Sequence, residues 1–231
     1  MIIHDVRQGE EVWHRLRLGI PTASKFDQIL TPKTLKPAAS AEKYMYQLLA
    51  EWIIGQPCDL QSNRFMERGT ELEPEARKLY AFQQGVKVQE VGFITTDDGL
   101  IGCSPDGLIG DDGGLEIKCP MAPTHVKYLL NPKQLYEDYK LQVQGALYVT
   151  ERDWWDIKSY VPGMPSVIHE VKRDPAIIEP LSENLHIFTQ QLEIYKQRLI
   201  EKDMEPYEMI VQREDEAIDA ELNEIFPTKG D

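Results

Sequence analysis

Gly102-Cys103-Ser104-Pro105-Asp106-Gly107, followed after a short Asp/Gly turn by Gly114-Leu115-Glu116-Ile117-Lys118, constrains this chain more than any other stretch. Leu100 to Ile109 carries strand formers interrupted by Ser-Pro-Asp-Gly, and Leu115 to Cys119 reads as a short strand. Asp111, Asp112, Gly113 and Gly114 between them are turn formers, so the stretch predicts a β-hairpin. Residues two apart on a strand share a face, which sets Glu116 beside Lys118 and turns Ile117 away. A carboxylate next to an ammonium suits phosphodiester hydrolysis. The carboxylate holds Mg²⁺ through hard oxygen ligands, and the lysine orients or deprotonates the attacking water. A second carboxylate has to complete or bridge the metals, and Asp106 is the candidate.

The same residues also fit an exposed hairpin with solvated charges, so register is the test. A two-residue Asp111-Asp112 loop pairs Asp106 opposite Ile117 and turns it from Glu116. A three-residue Asp111-Asp112-Gly113 loop, with Gly113 at positive φ, puts Asp106 on the Glu116 face, as does a break at Pro105. A working site predicts one of the latter two.

The 231 residues are enough to bury a full core as one domain. No apolar run is long enough to span a membrane, and His4, Asp5 and Arg7 interrupt any signal peptide at the start. Cys58, Cys103 and Cys119 are few, odd in number and without metal spacing. They point to a reducing, cytoplasmic setting and against a disulfide framework or zinc site. The net charge of -14 opposes a broad electrostatic grip on nucleic acid. It is unevenly spread: residues 1–140 hold 16 Lys/Arg against 20 Asp/Glu, residues 141–231 hold 9 against 19. A local basic surface or topological enclosure would have to stand in for a basic face.

Elsewhere, Val12, Trp13 and Leu16 recur at helical spacing within residues 10–18, and Gly19 ends that segment. Thr22-Ala23-Ser24 starts a second short helix to about Leu30. Arg17 and Ser24 flank the junction, where a helix start with a hydroxyl and an arginine suits a phosphate; Ser24 or Thr22 as a plain cap is the alternative. Residues 31–39 read as a loop, and Ala41 to Ile54 as an amphipathic helix stopped by Gly55. Thr70-x-x-Glu73 before Pro74 is a capping box, which gives Glu73 a structural role; a metal carboxylate reaching in from a helix start is the other reading. Val86 to Thr95 predicts a strand, and with the hairpin an antiparallel meander on one edge of a mixed sheet. Helices are expected over residues 120–132 and 135–150, with Gln142 beside the apolar stripe of the second. Two strands follow, Trp154 to Val161 and Ser166 to Val171. A long helix then runs from Pro175 to about Lys202, with Leu181, Leu185, Phe188 and Leu192 on one side. Residues 201–231 carry 11 acids against 3 bases.

Together these motifs resemble one family, the phage lambda-type (YqaJ-type) alkaline exonucleases of viral recombination. The likeness runs from about Gln8 to Lys202 in five ordered markers: Trp13-His14-x-Leu16-Arg17 with Thr22-Ala23-Ser24; Gly69-x-x-x-Glu73-x-x-Ala76-Arg77; Cys103-Ser104-Pro105-Asp106-Gly107; Leu115-Glu116-Ile117-Lys118-Cys119-Pro120; and Gln142-Val143-Gln144. The resemblance implies an α/β restriction-endonuclease-like core, a mixed β-sheet flanked by α-helices. It implies a single nuclease domain over residues 1–231, with its core at about 8–202 and an acidic extension at 203–231.

It further implies Mg²⁺-dependent 5′→3′ degradation of one strand of double-stranded DNA to 5′-mononucleotides, leaving a 3′ single strand. Two ions are expected, with Mn²⁺ as a substitute. Also implied are a homotrimer ring around the DNA, a single-strand annealing protein as partner, and work in a bacterial cytoplasm by a phage or prophage product. Position by position, Asp106 and Glu116 look like metal carboxylates, the Ile117 carbonyl like a further ligand, and Glu73 like the helix carboxylate near the second metal. Lys118 looks like the residue that positions the water. Arg17, Ser24, Ser104 and Gln142 look like the pocket for the 5′-phosphate. Two rivals remain: a restriction-type or structure-specific endonuclease with the same Asp/Glu-x-Lys core, and a non-catalytic DNA-binding module that keeps the fold. An iron–sulfur relative is disfavoured by the three cysteines.

Overall fold

A computed structural model describes residues 1–58 and 64–207; residues 208–231 of the acidic extension lie outside the described residues. Two sheets organise the chain. The smaller has the order β1-β3-β4, from Ile2–His4, Phe93–Thr95 and Gly102–Cys103. The larger has the order β2-β5-β6-β7-β8, from Val88–Gln89, Gly107–Ile109, Gly113–Lys118, Trp154–Ser159 and Val167–Lys172. Only β6 and β7 run parallel in it, and the other pairings are antiparallel, so the sheet is mixed. The parallel step needs a crossover, which α4 (Ala122–Leu130) and α5 (Pro132–Thr150) supply.

Helices cover both faces of the larger sheet. Trp155, Ile157, Val167 and Val171 join a core with α5, α2 (Ala41–Ile54) and α6 (Pro175–Ile200). On the opposite face Ile109, Leu115, Ile117 and Tyr160 pack with Ala76 and Tyr80 of α3 (Arg64–Gln84). Leu181, Leu185, Phe188 and Leu192 of α6 are buried, as their helical spacing predicts. Helix α2 ends at Gly55, which takes φ +72° and donates its N–H to Glu51 O at 2.9 Å, the left-handed stop that glycine tolerates. Among the described residues no helix is long and apolar enough to cross a membrane.

Several expectations give way to tertiary structure. The predicted strand over Val86 to Thr95 is two short strands in different sheets, and Leu100 to Ile109 is likewise split at Ser104 to Asp106. No meander forms on one sheet edge, because β1 takes up β3 as its partner through Ile3↔Ile94. The second short helix is a 3-10 turn, Ala23–Gln28, with no side-chain cap from Thr22. Helix α1 (Glu11–Leu16) buries none of its residues. Helix α3 begins at Arg64, so Thr70 and Glu73 lie inside it and form no capping box, and Pro74 is accommodated within the helix. The helix gains enough from packing Ala76 and Tyr80 to carry a proline that local rules would place at its start.

Candidate active site

Register brings the site together. Gly107 pairs with Leu115, Leu108 with Gly114 and Ile109 with Gly113. Asp106 lies one residue beyond this ladder, at a bend. The loop has three residues, but they are Gly110, Asp111 and Asp112, one position earlier than expected, and the positive φ (+54°) falls on Gly110, not Gly113. Moving the loop by one residue at constant length shifts the register by two, so the parity that matters is kept. The Asp106 N–H donates to Leu115 O at 3.1 Å, and its carboxylate accepts from the Ile117 N–H at 2.5 Å. Proline at 105 ends β5 here, which frees Asp106 to fold its side chain onto the neighbouring strand.

Glu116 and Lys118 share the face towards α5. Lys118 Nζ lies 2.8 Å from Glu116 Oε1 and 3.0 Å from Gln142 Oε1, and Gln142 Nε2 donates to Glu116 Oε1 at 2.6 Å. The three side chains therefore close a ring of polar contacts between β6 and α5. The Lys118 ammonium also sits 4.5 Å from the centre of the Tyr139 ring. Gln144, two residues on, is fully buried and bonds Tyr136, Lys172 O and the Asp174 N–H, a purely structural role.

Glu73 comes from α3 and is paired with Arg77, one helical turn further on. Arg77 also donates Nε to the Asp106 carbonyl at 2.7 Å and pairs with Glu90 at 2.7 Å. Sequence reasoning carried Arg77 only as a family marker; the signal for its role was its i,i+4 spacing from Glu73. Among the described residues, no three His, Cys, Asp or Glu side chains are gathered closely enough to hold a metal between them. Asp106 and Glu116 form the near pair, and Glu73 is held by its arginine.

The electrostatics express this crowding. Burial pushes the Asp106 carboxyl well above the usual range, and Glu116 and Glu73 push it further. Burial raises Glu73 too, Arg77 pulls it back, and Glu116 adds to the rise. For Lys118 burial works against the charge, but Glu116 and Asp106 outweigh it and hold the ammonium above its ordinary value.

A cavity of about 170 Å³ opens beside this pair, lined by Glu116 and Gln142 together with Arg17, Ser24 and Ser104. Arg17 Nη1 donates to Ser104 Oγ at 2.7 Å, and burial lowers the guanidinium pKa from its usual value. Ser24 Oγ lies 3.4 Å from Thr22 Oγ1. Every residue expected in the phosphate pocket lines the same cavity. Sequence reasoning missed two others there. The Trp13 indole N–H donates to Gly92 O at 2.9 Å and Ser104 Oγ at 3.1 Å, and the Arg17 guanidinium lies 4.3 Å from a Trp13 ring centre. Gln8 donates to Pro105 O at 2.9 Å and so braces the turn before Asp106. The four-residue step from Trp13 to Arg17 was the available signal for the first; nothing local marks Gln8.

Residues 12–153 match the profile of the YqaJ-like viral recombinase domain. Among solved structures, the chain is similar to an alkaline exonuclease, LHK-Exo, from Laribacter hongkongensis. The TM-score is 0.75 and the identity 36%, over 84% of this chain and 98% of that one. The same protein in complex with dAMP matches with TM-score 0.75 and 37% identity, over the same shares. A phage related exonuclease from Haemophilus somnus 129PT shares the fold at TM-score 0.63 and 17% identity, over 79% of this chain and 96% of that one. These neighbours have the mixed sheet flanked by helices of the restriction-endonuclease-like core. A comparison with curated proteins finds no match.

Proposed function

Because this chain belongs to the YqaJ-like viral recombinase family, we propose that it is a Mg²⁺-dependent exonuclease that removes mononucleotides from the 5′ end of one strand of linear duplex DNA. Membership and the kinship to an alkaline exonuclease support the nuclease role. One observation carries the finer reading: Glu116, the carboxylate next to Lys118, lines the same cavity as Arg17 and Ser104. An anchor for a terminal phosphate and a hydrolytic centre in one cavity would fix polarity and product size together. The relative's complex with dAMP, a mononucleotide, supports a pocket of that size.

The donor set suits a hard divalent cation. Asp106 and Glu116 are buried carboxylates; burial first, then the negative charges of Glu116 and Glu73, raise the pKa of Asp106. A cation among them would relieve that repulsion. Asp106, Glu116 and the Ile117 carbonyl would hold it, with Glu73 reaching a second position once released by Arg77; Mn²⁺ would substitute. When bound, Mg²⁺ supplies Lewis-acid stabilisation of the attacking and departing oxygens. Arg17, with Ser24 and Ser104, binds the 5′-phosphate, Gln142 orients Glu116 and Lys118, and Lys118 aligns the water for in-line attack on the next phosphodiester.

A homotrimer ring around the duplex would let a chain of net charge -14 keep hold of DNA without a basic face. The same reading includes one nuclease domain spanning the chain, a single-strand annealing protein that takes up the 3′ single strand, and work in the cytoplasm of a bacterial host. The test is a time course on 5′-labelled linear duplex with and without Mg²⁺, beside a covalently closed circle. Label should leave as mononucleotide only with Mg²⁺, and the circle should survive. Cutting of the circle would favour the restriction-type endonuclease instead.

A further inference from the structure

Helix α5 is interrupted where it meets the site. Tyr139 has φ −125° and ψ 16°, outside the helical region, with helix on either side. The break falls three residues before Gln142, and it accompanies a Tyr139 ring that lies 4.5 Å from Lys118 Nζ. An ammonium has three N–H groups. Glu116 takes one direction at 2.8 Å and Gln142 another at 3.0 Å, which leaves the ring face beneath the third. The neighbouring Tyr128 hydroxyl donates to Asp138 at 3.0 Å. The contact with Lys118 is made by the ring face.

We propose that Tyr139 is a positioning residue for Lys118: its ring face holds the ammonium weakly in the direction from which it must reach the attacking water. A carboxylate there would draw the ammonium into a second ion pair and away from the water, and an aliphatic side chain would leave it free to swing. The inference rests on the nuclease reading above. It predicts that the π face matters and the hydroxyl does not.

Four substitutions at position 139 test it on linear duplex with Mg²⁺. Tyr139→Phe should stay within about threefold of wild type, while Tyr139→Leu should lose about tenfold in kcat with KM for DNA unchanged. Replacement by mono- and trifluorophenylalanine should lower kcat stepwise, since fluorine drains the ring face at nearly constant shape. In the metal-free protein, the Lys118 ε-methylene protons should show an upfield ring-current shift that Phe keeps and Leu abolishes. A flat fluorine series, equal losses for Phe and Leu, or no ring-current shift would overturn the inference while leaving the nuclease reading intact. A wild-type protein that releases no mononucleotide would overturn the nuclease reading itself, and this inference with it.

Discussion

Arg17 Nη1 donates to Ser104 Oγ at 2.7 Å across a gap of 87 residues. The bond joins the end of α1 to the turn before Asp106, so the proposed phosphate anchor and the turn proposed to hold the metal are one mechanical unit. Arg17→Ala should lower kcat/KM on 5′-phosphorylated duplex by roughly 10- to 100-fold, the worth of a charge-assisted hydrogen bond, and barely change it on 5′-hydroxyl ends. Equal activity of the wild type on the two ends would contradict the anchor. Steady-state rates on the paired substrates measure both.

Asp106 predicts how stability depends on pH. Burial, then Glu116 and Glu73, lift its folded pKa above that of the unfolded chain. Its contribution is therefore present at low pH and lost as pH rises through the window from the ordinary carboxylate value to the raised one. Asp106→Asn removes the penalty while its side-chain oxygen can still accept from Ile117. The metal-free variant should melt above wild type at pH 8, by roughly 2–4 °C for each kcal/mol relieved, and the gap should close as pH falls. Mg²⁺ should raise the melting temperature of wild type and leave the variant unmoved. Thermal scans across pH with and without Mg²⁺ check each statement.

Arg77 ties Glu73, Glu90 and the Asp106 carbonyl to one guanidinium. Arg77→Ala leaves the partly buried Glu73 and the Asp106 carbonyl unmatched and should cost about 1–3 kcal/mol in urea unfolding. Arg77→Lys should recover little of it, because a point charge lacks the fork that reaches all three.

Gln142 is a neutral bridge between a carboxylate and an ammonium. Gln142→Glu keeps the shape but places a second negative charge against Glu116, with no amide N–H to donate. Hydrolysis should fall by at least tenfold and its pH profile should shift to the alkaline side, since the added carboxylate holds the Lys118 ammonium more firmly. A profile unchanged from wild type would count against Gln142 acting through Lys118.

Gly114 tests the fold beneath the site. A Cβ there would run into the Trp155 ring, on the parallel neighbour that it pairs with. Gly114→Ala should destabilise by about 1–3 kcal/mol through overpacking. Gly99→Ala, where a Cβ meets nothing within 4 Å but φ is +72°, tests the separate cost of backbone strain. Urea midpoints of the two variants compare the effects directly.

What the sequence alone determined lies at short range. Glu116 and Lys118 share a face because strands alternate, and Gln142 falls beside the apolar stripe of its helix. The α6 stripe at Leu181, Leu185, Phe188 and Leu192 declares a buried face by spacing, and Gly55 marks the end of α2 because few other residues adopt its φ. The candidate site residues could be singled out for that reason, and because their order along the chain resembles a family's markers.

What only the tertiary structure decided depends on partners distant in the chain. The pairing of β1 with β3, the splitting of Val86 to Thr95 between two sheets, and the burial of Ala76 and Tyr80 all turn on surfaces more than a dozen residues away. Where α3 extends back past Thr70, Arg68 Nη1 donates to Cys119 O at 2.7 Å and Pro120 O at 2.9 Å, a tertiary contact set against a capping signal worth about 1 kcal/mol locally. Arg77 reaching the Asp106 carbonyl, Gln8 bracing Pro105, and the Tyr139 break under Lys118 belong to the same class. Propensity and periodicity bias each segment by a fraction of a kcal/mol per residue. Packing between segments is larger and specific to the assembled fold, and it settles which local preferences survive.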